Sequence, residues 1–288
     1  MILRKRYQVP LADGRVLDLG ERTLVMAILN VTPDSFAETG SGLDPDRSAD
    51  RALRLEAEGA DILDIGGEST RPGAEPVTAE EEQARVVPVL TRLAGRIRIP
   101  ISIDTSRAEV ARAALDEGAV IVNDISGLRY DPSLGSLAAR RRAAVVLMHM
   151  RGRPRDMYRE AVYHDVVGEV SAELRASLDA ALSAGVAPDA IILDPGLGFA
   201  KRAEHSLELL ARLPRLAALD RPLLVGPSRK SFLTLVTGDE PPPARDWATA
   251  GAVAAAVWGG AHVVRVHAVA GMRQVVRMAD AILARSAS

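Results

Sequence analysis

Eight short apolar runs, each ending in polar residues or glycine and followed by a helical stretch or a loop leading to one, divide this 288-residue chain into one repeated theme. The runs cover 24–29, 61–65, 101–103, 120–122, 144–148, 190–193, 222–225 and 263–266. They are rich in Val, Ile and Leu and do not alternate polar with apolar, which is the pattern of strands buried on both faces. Amphipathic stretches lie between them at 48–58, 80–94, 107–117, 162–184 and 205–218. In the fourth of these, Val166, Val170, Leu174, Leu178 and Leu182 recur at a four-residue step. Alternation of strand and helix predicts a parallel sheet, and eight such units predict that the sheet closes on itself.

The expected fold class is therefore α/β, a (β/α)₈ TIM barrel over about 22–286, preceded by a short N-terminal β-hairpin over about 6–20 that turns at Asp13-Gly14. An open doubly wound sheet is the alternative, weakened because no G-x-G-x-x-G follows the first run. No linker divides the chain, so 1–288 is expected to be a single domain, with 238–246 a surface loop. Aromatic residues make up only 3%, so Ala, Val, Leu and Ile must build the core. A net charge of −2 with no basic stripe argues against a nucleic-acid partner. The chain has no cysteine, which excludes disulfides and thiolate metal sites. No run of apolar residues is long enough for a membrane span, and no signal-peptide core follows the N-terminal charges. No membrane association and a cytoplasmic location are expected.

In such a barrel the C-terminal strand ends face the site. Here they carry Asn30, Asp64, Asp104, Asn123-Asp124, His149, Asp194, Gly226 with Ser228-Arg229-Lys230-Ser231 beyond it, and Arg265 with His267. One polar strand end is ordinarily a cap, but eight at the same end predict a polar pocket. Asp104, Asn123 and Asp194 suit the edge of a flat heterocycle bearing amino and ring N–H groups. Arg71, Lys230, Arg265 and His267 could hold phosphate, and Asn30 offers a neutral oxygen to a hard cation such as Mg²⁺, whose shell phosphate and water complete. The residues themselves thus point to a planar polar substrate carrying phosphate, with no reaction named.

The same stretches, read as words, resemble the dihydropteroate synthase family along almost the whole chain. They are Met26-Ala27-Ile28-Leu29-Asn30-Val31-Thr32-Pro33-Asp34-Ser35-Phe36, Asp64-Ile65-Gly66-Gly67-Glu68-Ser69-Thr70-Arg71-Pro72-Gly73, Ile103-Asp104-Thr105, Val122-Asn123-Asp124-Ile125-Ser126-Gly127, Met148-His149-Met150-Arg151-Gly152, Leu193-Asp194-Pro195-Gly196-Leu197-Gly198-Phe199, Ser228-Arg229-Lys230-Ser231-Phe232 and Arg265-Val266-His267. The resemblance implies a transferase of folate biosynthesis, a family targeted by sulfonamides, that joins 6-hydroxymethyl-7,8-dihydropterin diphosphate to p-aminobenzoate. It implies that Asp104, Asn123, Asp194, Gly226 and Lys230 bind the pterin, with Ile125, Met148 and Phe199 packed on it. Asn30, Thr70, Arg265 and His267 would hold the diphosphate, with Asn30 ligating Mg²⁺. Phe36, Thr70, Arg71, Pro72, Lys230 and Ser231 would form the p-aminobenzoate pocket, and Asp104, Lys230, Arg265 and His267 would be the catalytic set. A homodimer is also implied, and the Ala-rich surface of 248–258 could pack against a second copy.

Other polar residues have plainer expectations. Asp64 is expected to bond backbone beneath the second loop, and Asp124 and Arg229 to be structural as well. Asp34 suits a turn as well as a place near the metal. His149 is expected to be a satisfied histidine, His164, His205 and His262 structural or exposed, and the basic stretch 139–155 a solvated face. Three positions depart from the family's wording: Glu38 stands for an aspartate, Ala200 for the glycine before Lys201, and Ala268 for the aspartate after His267. A methyltetrahydrofolate-binding methyltransferase shares the floor residues but gives no reason for 228–231 or for the Thr70-Arg71-Pro72 loop. A degenerate, non-catalytic pterin binder is countered by the intact Asn30, Thr70, Arg71, Lys230, Arg265 and His267.

Overall fold

Tyr7–Pro10 (β1) and Val16–Leu19 (β2) pair antiparallel from Tyr7↔Leu19 to Pro10↔Val16, and Gly14 takes φ +85° in the turn. This is the hairpin expected around Asp13-Gly14. The computed structural model describes residues 4–32, 44–70 and 73–285.

The barrel strands are Leu24–Asn30 (β3), Ile62–Gly66 (β4), Ile101–Asp104 (β5), Ile121–Asp124 (β6), Ala144–Met148 (β7), Ile191–Asp194 (β8), Leu224–Val225 (β9) and Val263–Val266 (β10). Every pairing in the order β8-β7-β6-β5-β4-β3-β10-β9 is parallel. The ring closes where Leu193 bridges Leu223 and the Leu193 N–H donates to Pro222 O at 2.9 Å. Closure removes both sheet edges, so the open doubly wound alternative falls.

The absence of alternation in the runs has a direct cause, because both faces of each strand are covered by apolar side chains. Leu24, Met26, Ile62, Ile121, Ala144, Val146, Ile192, Leu224 and Val263 fill the lower barrel together with Val9, Leu11, Leu17 and Leu19 of the hairpin. The hairpin therefore plugs the N-terminal end. Val25, Ala27, Leu29, Leu63 and Ile65 face outward into a second cluster formed with the helices.

The helices follow the strands: Pro45–Ala57 (α1), Ala79–Leu93 (α2), Ala108–Asp116 (α3), Ser133–Arg141 (α4), Val166–Ser183 (α5), Ala203–Ala211 (α6), Thr234–Thr237 (α7), Asp246–Trp258 (α8) and Val269–Arg285 (α9). Two expected helices fall well short of their periodicity at one end. The stretch from 162 becomes helical only at Val166, because the Asp165 side chain accepts from Gly168 N at 3.2 Å and caps the helix there. The stretch 205–218 breaks after Ala211 and continues as a 3₁₀ turn over Leu213–Leu219. Pro214 cannot donate to an α-helical bond and disfavours helical geometry at Leu213.

His262, expected to be structural or exposed, is buried at the plugged end. Its Nδ1 accepts from Leu223 N at 3.0 Å and its Nε2 donates to Lys5 O at 3.0 Å, tying the hairpin to β9 and β10 as a neutral ring. Burial holds this imidazole down at about 4. Its folded-state value lies below that of the unfolded chain, so its contribution is complete above about pH 6.5 and is lost as the pH falls toward 4. The melting temperature is expected to drop across that window, and His262→Gln, measured by a thermal scan at each pH, to flatten part of the slope.

Candidate functional site

The upper barrel is polar because the inward-facing positions change character along each strand. Asn30, Gly66, Asp104 and Asn123 are register partners across β3, β4, β5 and β6 and form one level of the mouth. Gly66 leaves room for its neighbour, since a Cβ there would lie 3.4 Å from Asp104 Cβ. Met148 and Asp194 are partners across β7 and β8. Gly226 lies against Arg265 and Lys230, and a Cβ at this position would sit 3.6 Å from Arg265 Cβ and 3.9 Å from Lys230 Nζ.

Arg265 sits at the centre. Its Nε donates to Asp64 Oδ2 at 2.6 Å and its Nη2 to Asp104 Oδ2 at 2.7 Å. Asn123 Nδ2 donates to the same Asp64 oxygen at 3.0 Å. Asp64 is fully buried and bonds these side chains rather than the backbone of the second loop, which corrects the sequence expectation. The physical reason is strand parity: Asp64 is two residues before Gly66 on β4, so it points into the barrel. Burial opposes the charge on Arg265, but Asp64 and Asp104 hold its guanidinium firmly protonated. Burial also pushes the Asp104 carboxyl upward, and Arg265 pulls it back.

Across the mouth, Asp194 Oδ1 accepts from Gly196 N at 2.7 Å. Burial raises this carboxyl, with the Lys230 charge opposing. Lys230 Nζ donates to Leu197 O at 2.5 Å and lies 4.2 Å from the centre of the Phe199 ring. Burial lowers the Lys230 ammonium to about 8, and Asp194 limits the fall. Two glycines make this loop possible. Gly196, at φ +67°, passes so close to His149 O that a Cβ would lie 2.0 Å from it, and Gly198, at φ +77°, gives way to the Lys230 stem. Ile125, Met148, Met150, Met157 and Ala200 form an apolar cluster against which Phe199 and Tyr130 pack. One wall of the mouth is therefore apolar, and the opposite side and floor carry charge.

Of the remaining expected residues, His267 and Ser231 are described near this centre. His267 lies above Arg265, just beyond β10; its backbone N–H donates to Ser228 Oγ at 3.1 Å, and that hydroxyl lies 2.9 Å from His267 Nδ1. The hydroxyl can accept the first bond and donate the second, which leaves the proton of a neutral ring on Nε2. Nothing in the sequence singles out Ser228 for this part. Ser231 is at the exposed rim, where its Oγ lies 3.3 Å from the Tyr158 hydroxyl. Tyr158 belongs to the loop after β7, and no spacing in the sequence could have brought it there. Thr70 is the last described residue of the second loop before 71–72. Phe36, Arg71 and Pro72, with Asp34 and Glu38, lie outside the described residues. Among the described residues no three His, Cys, Asp or Glu side chains group as a metal site, and Asn30, the last residue of β3, brings a neutral side-chain oxygen to the mouth. That donor set suits a hard cation bound chiefly through phosphate and water.

The plainer expectations for Asp124 and Arg229 hold. Asp124 accepts from Ser126 N and Leu128 N, and Arg229 makes paired bonds of 2.7 and 2.8 Å to Asp246. His149 is satisfied on both ring nitrogens. The basic stretch 139–155 is a solvated face only in part: residues 140–142, Arg153 and Arg155 are exposed, but 143–150 are buried as β7 and its end, and Arg151 is drawn into ion pairs with Glu169 and Glu173. At Ala268, which directly precedes the first residue of α9, the Met272 N–H bonds to the Ala268 carbonyl at 3.0 Å. This is an N-cap position, where alanine offers no acceptor. Ala268→Asp is expected to raise stability by about 1 kcal/mol, read as a higher urea midpoint, with turnover unchanged.

Comparison with known proteins agrees with this fold. The profile of the pterin binding enzyme family matches residues 26–267. The dihydropteroate synthase of Synechocystis sp. is 48% identical over 277 residues, covering 96% of both chains. The structure of the Xanthomonas albilineans dihydropteroate synthase with 4-aminobenzoic acid superposes with a TM-score of 0.90 at 42% identity, covering 97% of this chain and 99% of that one. The same enzyme in complex with 7,8-dihydropteroate gives 0.86 at 40% identity, covering 96% and 99%. With these likenesses joined to the geometry of the mouth, the chain belongs to the pterin binding enzyme family, among the dihydropteroate synthases.

Proposed function

We propose that this protein condenses 6-hydroxymethyl-7,8-dihydropterin diphosphate with p-aminobenzoate, giving 7,8-dihydropteroate and diphosphate. The observation that carries the assignment is the arrangement of Asp104, Asn123 and Asp194 with Arg265 and Lys230 at the C-terminal mouth, faced by Ile125, Met148 and Phe199. The three acidic and amide side chains bind the amino and N–H edge of the pterin, and Lys230 donates to its acceptor edge beside Gly226. The apolar wall packs on the ring. In the reaction the methylene C–O bond breaks, diphosphate departs with the bonding pair, and the arylamine nitrogen forms the new C–N bond and then loses a proton. Thr70, His267 and Arg265 hold the diphosphate and stabilise the charge that develops on it. Asp104 and Asp194 stabilise the positive charge left on the pterin, so bond breaking can run ahead of amine attack. Asn30 is the protein ligand for Mg²⁺, which would neutralise charge on the leaving diphosphate. Phe36, Arg71, Pro72 and Ser231, with Thr70 and Lys230, form the amine site.

We also assign a cytoplasmic homodimer. No described helix is long and apolar enough to cross a membrane. The α8 and α9 surfaces form an apolar groove lined by Ala254, Trp258, Val275, Met278 and Ile282, in which Met278 and Ile282 are exposed. This supports dimer contact through the Ala-rich surface of α8 together with α9.

The test is to mix the purified protein with Mg²⁺, 6-hydroxymethyl-7,8-dihydropterin diphosphate and p-aminobenzoate, and to follow both products. Equal formation of diphosphate and dihydropteroate establishes the function. Diphosphate without dihydropteroate would overturn the amine-site assignment, and neither product would overturn the whole.

A further inference from the structure

Behind the loop after β8 lies a lysine that the condensation does not use. Lys201 is 1% exposed and does not reach the mouth. Its Nζ donates to Gly196 O at 3.0 Å and to Phe199 O at 3.0 Å, lies 3.3 Å from His149 O, and meets His149 Nδ1 at 2.8 Å. The two loop carbonyls bracket Leu197 and Gly198, the stretch that Lys230 grips from the other side through Leu197 O. The next carbonyl, that of Ala200, accepts from the Tyr163 hydroxyl at 2.9 Å. The loop is thus held from behind at 196, 199 and 200 and from the front at 197.

The anchor continues outward in alternating donors and acceptors. His149 Nε2 lies 3.0 Å from Glu173 Oε2, and Arg151 bonds both Glu173 and Glu169 while lying 4.1 Å over the Tyr163 ring. Because the Lys201 ammonium can only donate to Nδ1, the ring proton must sit on Nε2, facing Glu173. Burial, reinforced by the Lys201 charge, holds His149 down at about 4, which agrees with a neutral ring. Burying an ammonium costs several kcal/mol unless it is fully bonded, and an apolar side chain would fill the same space without that cost. Burial accordingly pulls Lys201 well below its ordinary value, with the Asp194 charge opposing the fall. The bonds made by this ammonium all converge on the pterin loop and the strand beside it.

We propose that Lys201, oriented by His149 and Glu173, is a positioning residue that sets the Leu197–Phe199 loop, and through it Lys230 and Phe199, for binding the pterin. Ala200, buried at φ +48°, shows how firmly the segment is held, since a left-handed alanine is strained where glycine is not.

The inference rests on the pterin site assigned above, so wild-type protein is first titrated with 6-hydroxymethylpterin by calorimetry. No binding by the wild type would overturn the site and this inference with it. If the wild type binds, Lys201→Met is expected to weaken pterin binding about tenfold or more, the loss of a charge-assisted bond, and to raise the KM of the pterin diphosphate in step. Its kcat at saturation should stay within about threefold. A purely structural role would instead lower the active fraction, and with it kcat, leaving the pterin affinity of the folded protein unchanged. That result would overturn the proposal. His149→Gln, which can accept from Lys201 and donate to Glu173, should keep near-normal pterin affinity, whereas His149→Leu should lose it. Should Lys201→Met fail to fold, Glu173→Leu decides: it acts at the solvent end of the chain and should raise the pterin KM several-fold. Unchanged pterin constants in Glu173→Leu and His149→Leu would overturn the proposal equally.

Discussion

Lys230→Met is expected to lower kcat/KM by about ten- to a hundredfold while leaving the protein as stable as before, or more so. The ammonium is the donor proposed for the acceptor edge of the pterin, and loss of a charge-assisted hydrogen bond to a bound group is worth about 1.5–3 kcal/mol. Its removal also frees Phe199, whose ring it holds at 4.2 Å. The stability effect has the opposite sign because the folded state disfavours this charge. Lys230 falls to about 8 in the folded protein against an ordinary 10.5, so between those values the unfolded chain binds more protons than the native one. Stability therefore rises with pH across that window, and below about pH 8 the wild type carries the full penalty. Methionine removes it, a gain of about 1–3 kcal/mol, partly offset by leaving Leu197 O without its donor. Urea denaturation from pH 7 to 10 should show the wild-type curve rising toward that of the variant. The pterin affinity of the wild type should fall above about pH 8, where Lys230 loses its proton. A variant less stable than wild type at pH 7 would show that Lys230 contributes to the fold rather than being a functional group held at a cost.

The second large effect lies one level deeper. Asp64→Asn is expected to cost about 3–5 kcal/mol of stability and to weaken pterin binding at the same time. Asp64 Oδ2 takes bonds from Arg265 Nε and Asn123 Nδ2 within the closed barrel. Removing its charge leaves Arg265 paired with Asp104 alone, and a buried cation that has lost one of two partners is far more costly than a missing surface pair. Arg265 would then compete with substrate for Asp104, and Asn123 would lose the acceptor that aims its amide. The measurement is a double-mutant cycle with Arg265→Met in urea: the Asp64→Asn loss should shrink markedly in the Arg265→Met background. Additive losses would mean that Asp64 acts on the backbone, as its sequence context suggests.

This disagreement over Asp64 marks where sequence legibility ends. From the linear chain Asp64 belongs with Gly66-Gly67-Glu68, a loop-entry motif, and a backbone role is the natural expectation. Its partner Arg265 is 201 residues away and becomes its neighbour only when β10 pairs with β3. The same limit applies to Lys201. Nothing in the linear chain says whether a lysine two residues after Phe199 is solvated or buried. It becomes a buried anchor because the loop turns back at Gly196 against His149 O, so that loop carbonyls and His149 at the end of β7 surround its ammonium with acceptors. Tyr158 and Ser231 meet across 73 residues for a comparable reason.

Much was set by local chemistry alone. The eight runs without alternation, the intervening amphipathic stretches and the Asp13-Gly14 turn specify strands, helices and hairpin, because side-chain period and turn conformation are properties of a few consecutive residues. They also place a polar residue at each strand end, and in a parallel barrel all strand ends share one mouth. Boundaries were less secure where a cap or a proline competes with periodicity, as at Asp165 and Pro214. The tertiary structure alone decided which carboxylate holds which cation and on which ring nitrogen His149 carries its proton. It also decided which loop is pinned from behind. Those outcomes depend on strand parity, register and closure, which bring residues from opposite ends of the chain within hydrogen-bonding distance in a site shielded from water.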